Sequence, residues 1–346
     1  MDEEMKVFLY SGMQNMIEKS GVGRAIYHQK SAAKINGIGV ASNIVDADIV
    51  HINTVFPKSL YVAHLAHRHG IPVVYHAHST KEDFKNSYLG SNLFDGLFGK
   101  WIKLCYNCGD VIVTPSMYSK DLLESYGINK KIEVISNGID LEYYNKENVK
   151  PGEFRKKYGF RETDKVIMSV GLTIERKGIL DFVELARRMP EYQFIWFGET
   201  NLYTVPVKIR KAVHSKLPNL KFAGYAQKKE LRNAYRECDL FLFPSKEETE
   251  GIVVLEALAM KIPVLLRNIP VYEDWLYDKE QVYKADNIDS FEQISKQILE
   301  GECDNLTEKG YEVVKERAIE KVGKQLYVAY KEALKVYENN NCLENV

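Results

Sequence analysis

Short apolar runs recur along the chain and alternate with segments of helical periodicity. The predicted strands lie at 6–10, 48–53, 71–75, 111–114 and 132–135 in the first half, and at 166–170, 194–197, 221–223, 240–243 and 262–266 in the second. The clearest helices are predicted at 24–35, 59–69, 119–126, 180–188, 251–260 and 312–337. Apolar strands separated by helices are typical of a parallel sheet with helices on both faces, so the pattern predicts an α/β fold.

The alternation is interrupted once, between residues 141 and 164, where polar and charged residues replace the apolar runs. The chain has 346 residues, which is long enough for two domains. We therefore predict a first domain over residues 1–147 and a second that begins at residue 148. Because ligands of doubly wound α/β folds bind beyond the carboxyl ends of the strands, we expect a ligand cleft between the two domains.

Charge and composition narrow the classes of function. The 47 basic and 48 acidic residues give a net charge of −1, which argues against a polybasic nucleic-acid binder. No run of apolar residues is long enough to predict a membrane-spanning helix, and the acidic start Met-Asp-Glu-Glu argues against a secretory signal. The cysteines are sparse and odd in number, which favours reduced thiols and a cytoplasmic location. They are Cys105, Cys108, Cys238, Cys303 and Cys342.

A loop followed by a helix in the second half is the strongest candidate site. The helix is predicted to begin at Gly251, so the backbone N–H groups of Gly251, Ile252 and Val253 are candidate phosphate ligands. Glu248 precedes the helix and Glu256 lies inside it, where a carboxylate could accept two hydrogen bonds from a ribose diol. A surface helix with an acidic first turn would explain the same residues equally well.

A basic pair follows the first predicted strand of the second domain. Arg176 and Lys177 lie in a turn between Gly171 and Gly178, where they would face the predicted cleft. Such a pair could bind a diphosphate through charge-assisted hydrogen bonds. Exposed Arg-Lys pairs are common, so this signal is weak without the glutamates.

Histidines are concentrated near the N-terminus. Seven of the eight lie in the first 78 residues: His28, His51, His64, His67, His69, His76 and His78. His76 and His78 follow a predicted strand and would point to one side of an extended segment. A metal site is conceivable, but no cysteine or carboxylate stands at ligand spacing. We therefore favour His78 as a residue that orients a substrate, with His76 as the alternative.

Two further motifs invite other interpretations. Asp46-Ala47-Asp48 matches the D-x-D string of metal-dependent sugar transfer, but it leads directly into a predicted strand and is better explained as a loop. The loop at 20–23, Ser-Gly-Val-Gly, is not a dinucleotide fingerprint, because Ile26 stands where a third glycine is needed. Gly21 and Gly23 would still let the backbone approach a phosphate or a sugar.

The segment 85–106 combines apolar and basic residues. Its apolar residues recur at helical spacing, which favours a helix packed on the first sheet. These residues are Leu93, Phe94, Leu97, Phe98, Trp101, Ile102, Leu104 and Cys105. The alternative is a helix lying partly in a membrane surface, with Lys85, Lys100 and Lys103 near anionic headgroups. On either interpretation the C-x-x-C spacing of Cys105 and Cys108 reflects helix packing.

These motifs together resemble the GT-B type glycosyltransferases of family 4. Glu248 and Glu256 have the spacing of the family's E-x(7)-E signature. The other matching segments are 20–23, 114–116, 134–140, 244–245 and 255–257. More narrowly, segments 18–25, 50–54, 78–84 and 247–256 are similar to Gram-positive glycolipid synthases that add a sugar to glucosyl-diacylglycerol, with the α-galactosyltransferase of that pathway as the nearest parallel.

Two positions depart from the family pattern. Thr249-Glu250 stand where the family usually has Gly-Phe, which leaves Glu247 and Glu250 open as alternatives for the first glutamate of the signature. Leu172 stands where an arginine often follows the glycine. Diphosphate binding would then depend on Arg176 and Lys177.

The resemblance implies a GT-B fold of two Rossmann-like domains with an interdomain cleft. Residues 1–147 would form the acceptor-side domain and residues 148–325 the nucleotide-sugar-binding domain, while 326–346 would form a helix that packs back on the first domain. The implied reaction is the retaining transfer of galactose or glucose from a UDP-sugar to a glycolipid acceptor such as glucosyl-diacylglycerol. The enzyme would be cytoplasmic and peripherally bound to the inner face of the membrane.

The resemblance also implies a role for each candidate residue. Glu256 would hold the ribose, Arg176 and Lys177 would neutralise the diphosphate, and Glu248 would bind the transferred hexose. The implied donor contacts are completed by Gly21, Gly23, Gly251, Ile252, Val253 and His78. No protein nucleophile, metal or cofactor other than the donor is implied.

Three alternatives stay open from the sequence. The first is a family 4 transferase for a cell-surface polysaccharide or another soluble acceptor. The second is a non-catalytic nucleotide-sugar-binding partner subunit, and the third is an epimerase of the same fold. Glucose and galactose donors are not distinguished, because one or two contacts to a single hydroxyl decide between them.

Overall fold

The structure, a computed structural model, describes residues 5–13, 17 and 20–344. Glu18 and Lys19, which begin the segment similar to the glycolipid synthases, lie outside these residues. The chain divides into two compact units. Unit 1 contains Met1–Glu82, Phe94–Gly138 and Arg317–Val346, and unit 2 contains Asp83–Leu93 and Ile139–Glu316.

A six-stranded parallel sheet forms the centre of unit 1, in the order β2-β1-β3-β4-β5-β6. Its strands are β1 (Lys6–Tyr10), β2 (Gly39–Val40), β3 (Ile49–Ile52), β4 (Val73–His76), β5 (Val111–Thr114) and β6 (Lys131–Val134). The order reverses between β1 and β3, and the register pairs Tyr10 with Ile52 and Ile52 with Tyr75. The loops after β1, β3 and β4 therefore leave the same edge of the sheet.

Helices cover both faces of this sheet. Within the described residues, the helices of the first half of the chain are α1 (Gly21–Ile35), α2 (Pro57–Arg68), α3 (Lys81–Phe84), α4 (Ser91–Tyr106) and α5 (Met117–Ser125). One apolar cluster packs β3 and β4 against α2 and α4, through residues that include Ile52, Val62 and Ile102. Strands that are buried on both faces are apolar along their whole length, which explains the short apolar runs in the sequence.

Unit 2 contains a second six-stranded parallel sheet, in the order β12-β11-β10-β7-β8-β9. Its strands are β7 (Val166–Val170), β8 (Gln193–Phe197), β9 (Leu220–Gly224), β10 (Leu240–Phe243), β11 (Val264–Arg267) and β12 (Tyr283–Ala285). The strand order reverses between β7 and β10, which lie side by side. In open parallel sheets, ligands bind at the carboxyl ends of the strands at such a reversal.

The helices of unit 2 are α6 (Glu153–Tyr158), α7 (Ile179–Arg188), α8 (Val207–Val213), α9 (Lys228–Glu237), α10 (Ile252–Ala259), α11 (Ile288–Glu300) and α12 (Thr307–Lys315). The last helix, α13 (Ile319–Glu344), belongs to unit 1 and packs against α1. Gly323 permits this close approach, since a Cβ atom there would lie 2.6 Å from the carbonyl oxygen of Ala32. Within the described residues, no helix has the length and apolar character needed to span a bilayer.

The predicted α/β fold with two parallel sheets is confirmed. Two short strands, β2 and β12, were not predicted, because runs of two and three residues carry too little pattern. The single helix predicted over 312–337 is wrong, since α12 ends at Lys315 and α13 begins at Ile319. The limits of the two units differ from the predicted domain limits 1–147, 148–325 and 326–346, which stay predictions for the domains themselves.

Candidate active site

The turn that follows β7 lies directly against the loop that follows β10. Gly178 ends this turn with φ +76°, and a Cβ atom there would lie 2.2 Å from the carbonyl oxygen of Pro244. The amide of Lys246 donates to the carbonyl oxygen of Arg176 over 2.8 Å, which fixes the two loops together. Glycine at 178 therefore permits a contact that brings the basic pair next to the glutamates.

Lys177 and Glu248 form a buried ion pair at this point. Nζ of Lys177 is 2.5 Å from Oε1 of Glu248, and the hydroxyl of Ser245 donates to the same oxygen over 2.6 Å. Burial by itself would raise the pKa of Glu248, but Lys177 and Arg176 hold this pKa below its ordinary value. Burial lowers the pKa of Lys177, and the neighbouring Glu248 opposes this effect. The carboxylate is thus ionised and sits beside a cation in a site of low exposure.

Arg176 is engaged by the segment 83–93. Its Nη1 atom is 2.6 Å from Oδ1 of Asp83 and donates to the carbonyl oxygen of Glu247 over 2.7 Å, while its Nε atom donates to Ser87 over 3.1 Å. Burial raises the pKa of Asp83, and Arg176 opposes this effect. The guanidinium therefore joins three parts of unit 2, and its predicted contact with the diphosphate stays a prediction.

The N-terminus of α10 lies in the same loop. Gly251 precedes the helix with φ +88°, and a Cβ atom there would lie 2.8 Å from the hydroxyl of Tyr272. Within the described part of the chain, no side chain caps this end of the helix. The backbone N–H groups of the first turn, including those of Ile252 and Val253, are thus available to an anion.

Glu256 lies deeper in unit 2 than the sequence suggested. The residue is fully buried, and its two carboxylate oxygens accept hydrogen bonds from the hydroxyls of Tyr144 (2.7 Å) and Tyr235 (3.0 Å). A ribose bound to Glu256 would have to share carboxylate oxygens that already accept hydrogen bonds from these two tyrosines. That contact stays a prediction, and the structure gives Glu256 a second task in the core.

In unit 1, His76 ends β4 and His78 follows it, and the two rings stack on one another. Their ring centroids are 4.0 Å apart and the planes differ by 7°. His76 is buried and His78 is half-buried. Burial lowers the pKa of His78 to about 3 and that of His76 well below its ordinary value, so both rings are neutral near pH 7. Since His78 is the more exposed of the two, it is the better placed to meet a ligand of unit 1.

Gly21 and Gly23 form the first turn of α1, which begins three residues earlier than predicted. Ser20 caps the helix by accepting a hydrogen bond from the amide of Gly23 over 3.4 Å. A Cβ atom at Gly21 would meet no described atom within 4 Å. Packing within the described residues therefore does not require glycine at 21, and its predicted role in approaching a phosphate stays a prediction.

Comparisons with known proteins decide the family. Residues 30–143 match the profile of Glycosyltransferase Family 4, and residues 152–318 match that of Glycosyl transferases group 1. A processive diacylglycerol alpha-glucosyltransferase of Acholeplasma laidlawii is 42% identical over 334 residues, which cover 96% of this chain and 99% of that protein.

The chain is a glycosyltransferase of family 4.

Other relatives of the transferase agree with this assignment. An alpha-galactosylglucosyldiacylglycerol synthase of Streptococcus pneumoniae is 26% identical over 264 residues, which cover 73% of this chain and 69% of that protein. The crystal structure of Alr3699/HepE from Anabaena in complex with UDP-glucose superposes with a TM-score of 0.75 at 14% identity, covering 94% of this chain and 99% of that one. The GT-B fold predicted from the motifs is therefore confirmed, and so is the interpretation of the chain as an enzyme of the transferase class.

Several residues around the candidate site were not singled out from the sequence. Asp83 and Ser87 contact Arg176, and Tyr144 and Tyr235 contact Glu256, from positions distant in the sequence. Only Asp83 carried a signal, as part of segment 78–84 that is similar to the glycolipid synthases. A side chain that acts through a distant neighbour leaves no local pattern, and for this reason the other three were missed.

The Asp46-Ala47-Asp48 string and Cys105 of the C-x-x-C pair both take part in the packing of unit 1 of the transferase. Asp48 accepts a hydrogen bond from the amide of Lys6 over 2.7 Å, and Asp46 accepts one from Asn43 over 2.6 Å. Burial raises the pKa of Cys105 to about 11, as expected for a thiol packed in a core. Across the described residues, no group of three or more His, Cys, Asp or Glu side chains is arranged to hold a metal ion.

Helix α4 of the transferase is buried on one side and apolar on its exposed side. Ile102, Cys105 and Tyr106 are fully buried in the core of unit 1, as the packing interpretation predicted. Four large apolar side chains of the same helix are more than half exposed: Leu93, Phe94, Leu97 and Leu104. The helix therefore combines core packing with an exposed apolar stripe, defined here as these four residues.

Proposed function

We propose that the transferase moves glucose from UDP-glucose to a diacylglycerol-based acceptor with retention of the α configuration. The observation that carries this proposal is the buried Lys177–Glu248 pair beside the N-terminus of α10. Lys177 and the N-terminus of α10 offer a cation and backbone N–H groups to a diphosphate. The ionised carboxylate of Glu248 offers hydrogen-bond acceptors to sugar hydroxyls. The relatives supply the nature of the sugar and of the acceptor.

Each side chain of this site has a proposed task in donor binding. Lys177 stabilises the negative charge that develops on the leaving diphosphate, which is where a preorganised cation lowers the barrier most. Glu248 accepts hydrogen bonds from hydroxyls of the hexose and so orients the anomeric carbon. Arg176 supports the site by holding segment 83–93 and the carbonyl group of Glu247 in place.

We propose no protein nucleophile. The carboxylate of Glu248 is held by Lys177 and Ser245, which suits an orienting group better than an attacking one. The leaving phosphate would deprotonate the acceptor hydroxyl on the face that the phosphate leaves, which retains the configuration. Lys177 supplies the positive charge that a metal supplies in other sugar transferases, so we expect activity to survive excess EDTA.

The choice of glucose over galactose follows from the degree of similarity. The identity is 42% with a relative named as a glucosyltransferase and 26% with a relative named as a galactosyl-lipid synthase. The higher identity also covers nearly the whole of both chains. Galactose transfer is the alternative that a direct comparison of the two donors tests.

The lipid acceptor is proposed from the same relatives and from α4. The exposed stripe Leu93, Phe94, Leu97 and Leu104 has no apolar cover within the described residues, and Lys100 is exposed on the same helix. Such a helix suits peripheral binding to an anionic surface. We propose a cytoplasmic enzyme that docks on the inner face of the membrane, where both its acceptor and anionic lipids are found.

The decisive experiment offers the enzyme UDP-glucose and UDP-galactose separately. Vesicles contain diacylglycerol or glucosyl-diacylglycerol, and parallel reactions contain a soluble oligosaccharide instead. Mass spectrometry of the lipid and aqueous fractions identifies the product, and NMR of its anomeric proton reports the configuration. An α-glucosylated lipid supports the proposal. A product formed only on the soluble acceptor, an epimerised donor, or no turnover of either donor would contradict it.

A further inference from the structure

The carboxyl ends of three neighbouring strands of unit 2 meet at one guanidinium group. In the register of β10 and β11, Phe243 pairs with Leu266, so the residues that follow them, Pro244 and Arg267, are neighbours. Nε of Arg267 donates to the carbonyl oxygen of Pro244 over 3.0 Å. Its Nη1 atom donates over 3.2 Å to the carbonyl oxygen of Asp286, the residue after β12. Arg267 therefore joins the ends of β10, β11 and β12.

The third nitrogen of the same guanidinium binds the first turn of α7. Nη2 of Arg267 is 2.5 Å from Oδ2 of Asp181, which lies three residues after Gly178. The same carboxylate oxygen is 3.6 Å from Nζ of Lys246 in the loop after β10. The side chains of Arg267 and Asp181 are 13% and 24% exposed, so their ion pair is largely shielded from solvent. Arg267 is thus linked to both of the segments that form the candidate site.

The carbonyl group that Arg267 binds is the one that lies against Gly178. A Cβ atom at residue 178 would lie 2.2 Å from the carbonyl oxygen of Pro244, so the two segments are in direct contact there. Lys177 directly precedes Gly178, and Glu248 lies in the loop that Pro244 begins. A shift of either segment would therefore change how Lys177 and Glu248 are placed relative to each other.

Three partners in different directions require the shape of a guanidinium group. Arginine donates from Nε, Nη1 and Nη2 at fixed angles, whereas lysine carries a single nitrogen on a flexible stem. The guanidinium carbon of Arg267 also lies 5.1 Å from the ring centroid of Phe291 on α11, which supports the group from a further side. Arg267 is not among the residues proposed to contact the donor, so any effect on turnover passes through the segments that it holds.

We propose that Arg267 is a positioning residue for sugar transfer, which holds the loop after β10 directly and the first turn of α7 through Asp181, so that Lys177 and Glu248 meet the donor in a fixed geometry. This inference rests on the proposed function, which gives Lys177 and Glu248 their tasks. The transition state depends on such placement more strictly than binding does, and an error of about 1 Å can cost about a hundredfold in rate. Arg267 therefore affects turnover more than it affects affinity for the donor.

Arg267→Lys keeps the positive charge and removes the planar group. We expect kcat to fall at least about tenfold while the Kd for UDP stays within about threefold of the parent, in a variant whose melting temperature lies above that of the assay. Arg187→Gln is the matched control, because Arg187 is an exposed residue of α7 whose ion pair is with Glu184, and it should keep parental kcat. Parental kcat in Arg267→Lys, or a loss of UDP affinity as large as the loss of kcat, would overturn the inference.

Asp181→Asn tests the link to α7 and decides the question if Arg267→Lys does not fold. We expect the same pattern at smaller size, with kcat lower by at least about threefold and parental binding of UDP. Because Asp181 acts through Arg267, the double variant should lose about as much kcat as Arg267→Lys alone. Parental kcat in Asp181→Asn, or losses that multiply in the double variant, would contradict the inference.

Amide hydrogen exchange separates this inference from the proposed function, because it needs neither sugar nor lipid. The amide of Lys246 donates to the carbonyl oxygen of Arg176 and reports the contact between the two segments. It should exchange at least about tenfold faster in Arg267→Lys than in the parent, while the amides of β8 exchange as before. Unchanged exchange at Lys246 would overturn the inference whatever the enzyme transfers. Faster exchange would support it even if the enzyme glycosylates no lipid, in which case only the proposed acceptor is wrong.

Discussion

Lys177 and Glu248 are paired over 2.5 Å, and each side chain is largely buried, with 16% and 8% exposed. Removing one partner of a buried pair leaves the other charge uncompensated, which costs about 3–5 kcal/mol in typical proteins. An anionic phosphate can compensate the charge of the same lysine, and sugar hydroxyls can donate hydrogen bonds to the carboxylate. The pair thus holds both groups in position for a donor that would contact each of them.

The first prediction concerns the charge on Lys177. Lys177→Ala is expected to weaken binding of UDP by at least tenfold, about 1.4 kcal/mol, because the diphosphate loses its buried cation. Isothermal titration calorimetry with UDP measures this loss. Lys296→Gln removes a lysine whose partner is Glu292 on α11, and it should bind UDP like the parent. Parental affinity in Lys177→Ala would contradict the proposed role.

The second prediction separates the two tasks of Glu256. Glu256→Ala removes the carboxylate that accepts hydrogen bonds from the hydroxyls of Tyr144 and Tyr235, so we expect a loss of about 2–4 kcal/mol in the free energy of unfolding. If the carboxylate also holds the ribose, UDP binds at least tenfold more weakly. Tyr235→Phe should lower stability by about 1–2 kcal/mol and change UDP affinity less than about threefold. Urea denaturation and calorimetry test both, and a folded Glu256→Ala with parental UDP affinity would refute the ribose contact.

The third prediction concerns the contact between the two loops. Gly178→Ala would place a Cβ atom 2.2 Å from the carbonyl oxygen of Pro244, so the loops must separate. We expect the unfolding free energy to fall by more than about 2 kcal/mol and turnover to fall with it. Gly159 has a similar φ of +68° but open space around its Cα atom, and Gly159→Ala should cost only about 1 kcal/mol of backbone strain. Equal effects of the two substitutions would show that the contact is unimportant.

The fourth prediction concerns attachment to membranes. The parent enzyme should co-sediment with anionic vesicles at low salt and release at high salt, because exposed lysines contribute about 1 kcal/mol each at such a surface. Leu93→Ser with Leu97→Ser removes half of the apolar stripe, and Lys100→Glu reverses a charge beside it; each should reduce binding. Val328→Ser, on the exposed side of α13, is the control for lost apolar area. Vesicle binding that is unchanged by high salt and by the substitutions in the stripe would contradict this docking surface.

The fifth prediction is a dependence of stability on pH. Burial lowers the pKa of His51 and of His78 to about 3, whereas an unfolded histidine has a pKa of about 6.5. The unfolded chain therefore binds more protons, and stability that is complete above pH 6.5 is lost as the pH falls. Each such histidine contributes a slope of up to about 1.4 kcal/mol per pH unit below pH 6.5.

Urea denaturation between pH 5 and 8 measures this slope. His51→Gln should reduce the slope by up to one proton, because it removes a buried histidine that is held neutral in the folded protein. The acidic residues titrate mainly below this range, so the histidines dominate the change. A stability that is flat from pH 8 to pH 5 would show that the buried histidines are not held neutral.

Some features of this transferase follow from the sequence alone. The apolar runs predict the strands of both parallel sheets, because a strand covered on both faces must be apolar along its whole length. The spacing of Glu248 and Glu256 around Gly251 predicts a strand–loop–helix unit, because caps and glycine conformations are local properties. Strands as short as β2 and β12 lie below what such patterns resolve.

Only the tertiary structure determined which partner each of these side chains contacts. Tyr144 is 112 residues from Glu256, and Ser87 is 89 residues from Arg176, so no local pattern could pair them. The hydrogen bonds of His76 and His78 likewise depend on amide groups carried by α1 and by the loop after β3. Local periodicity determines which residues are buried, whereas hydrogen-bond partners depend on the packing of distant segments, and that packing is set by the whole chain at once.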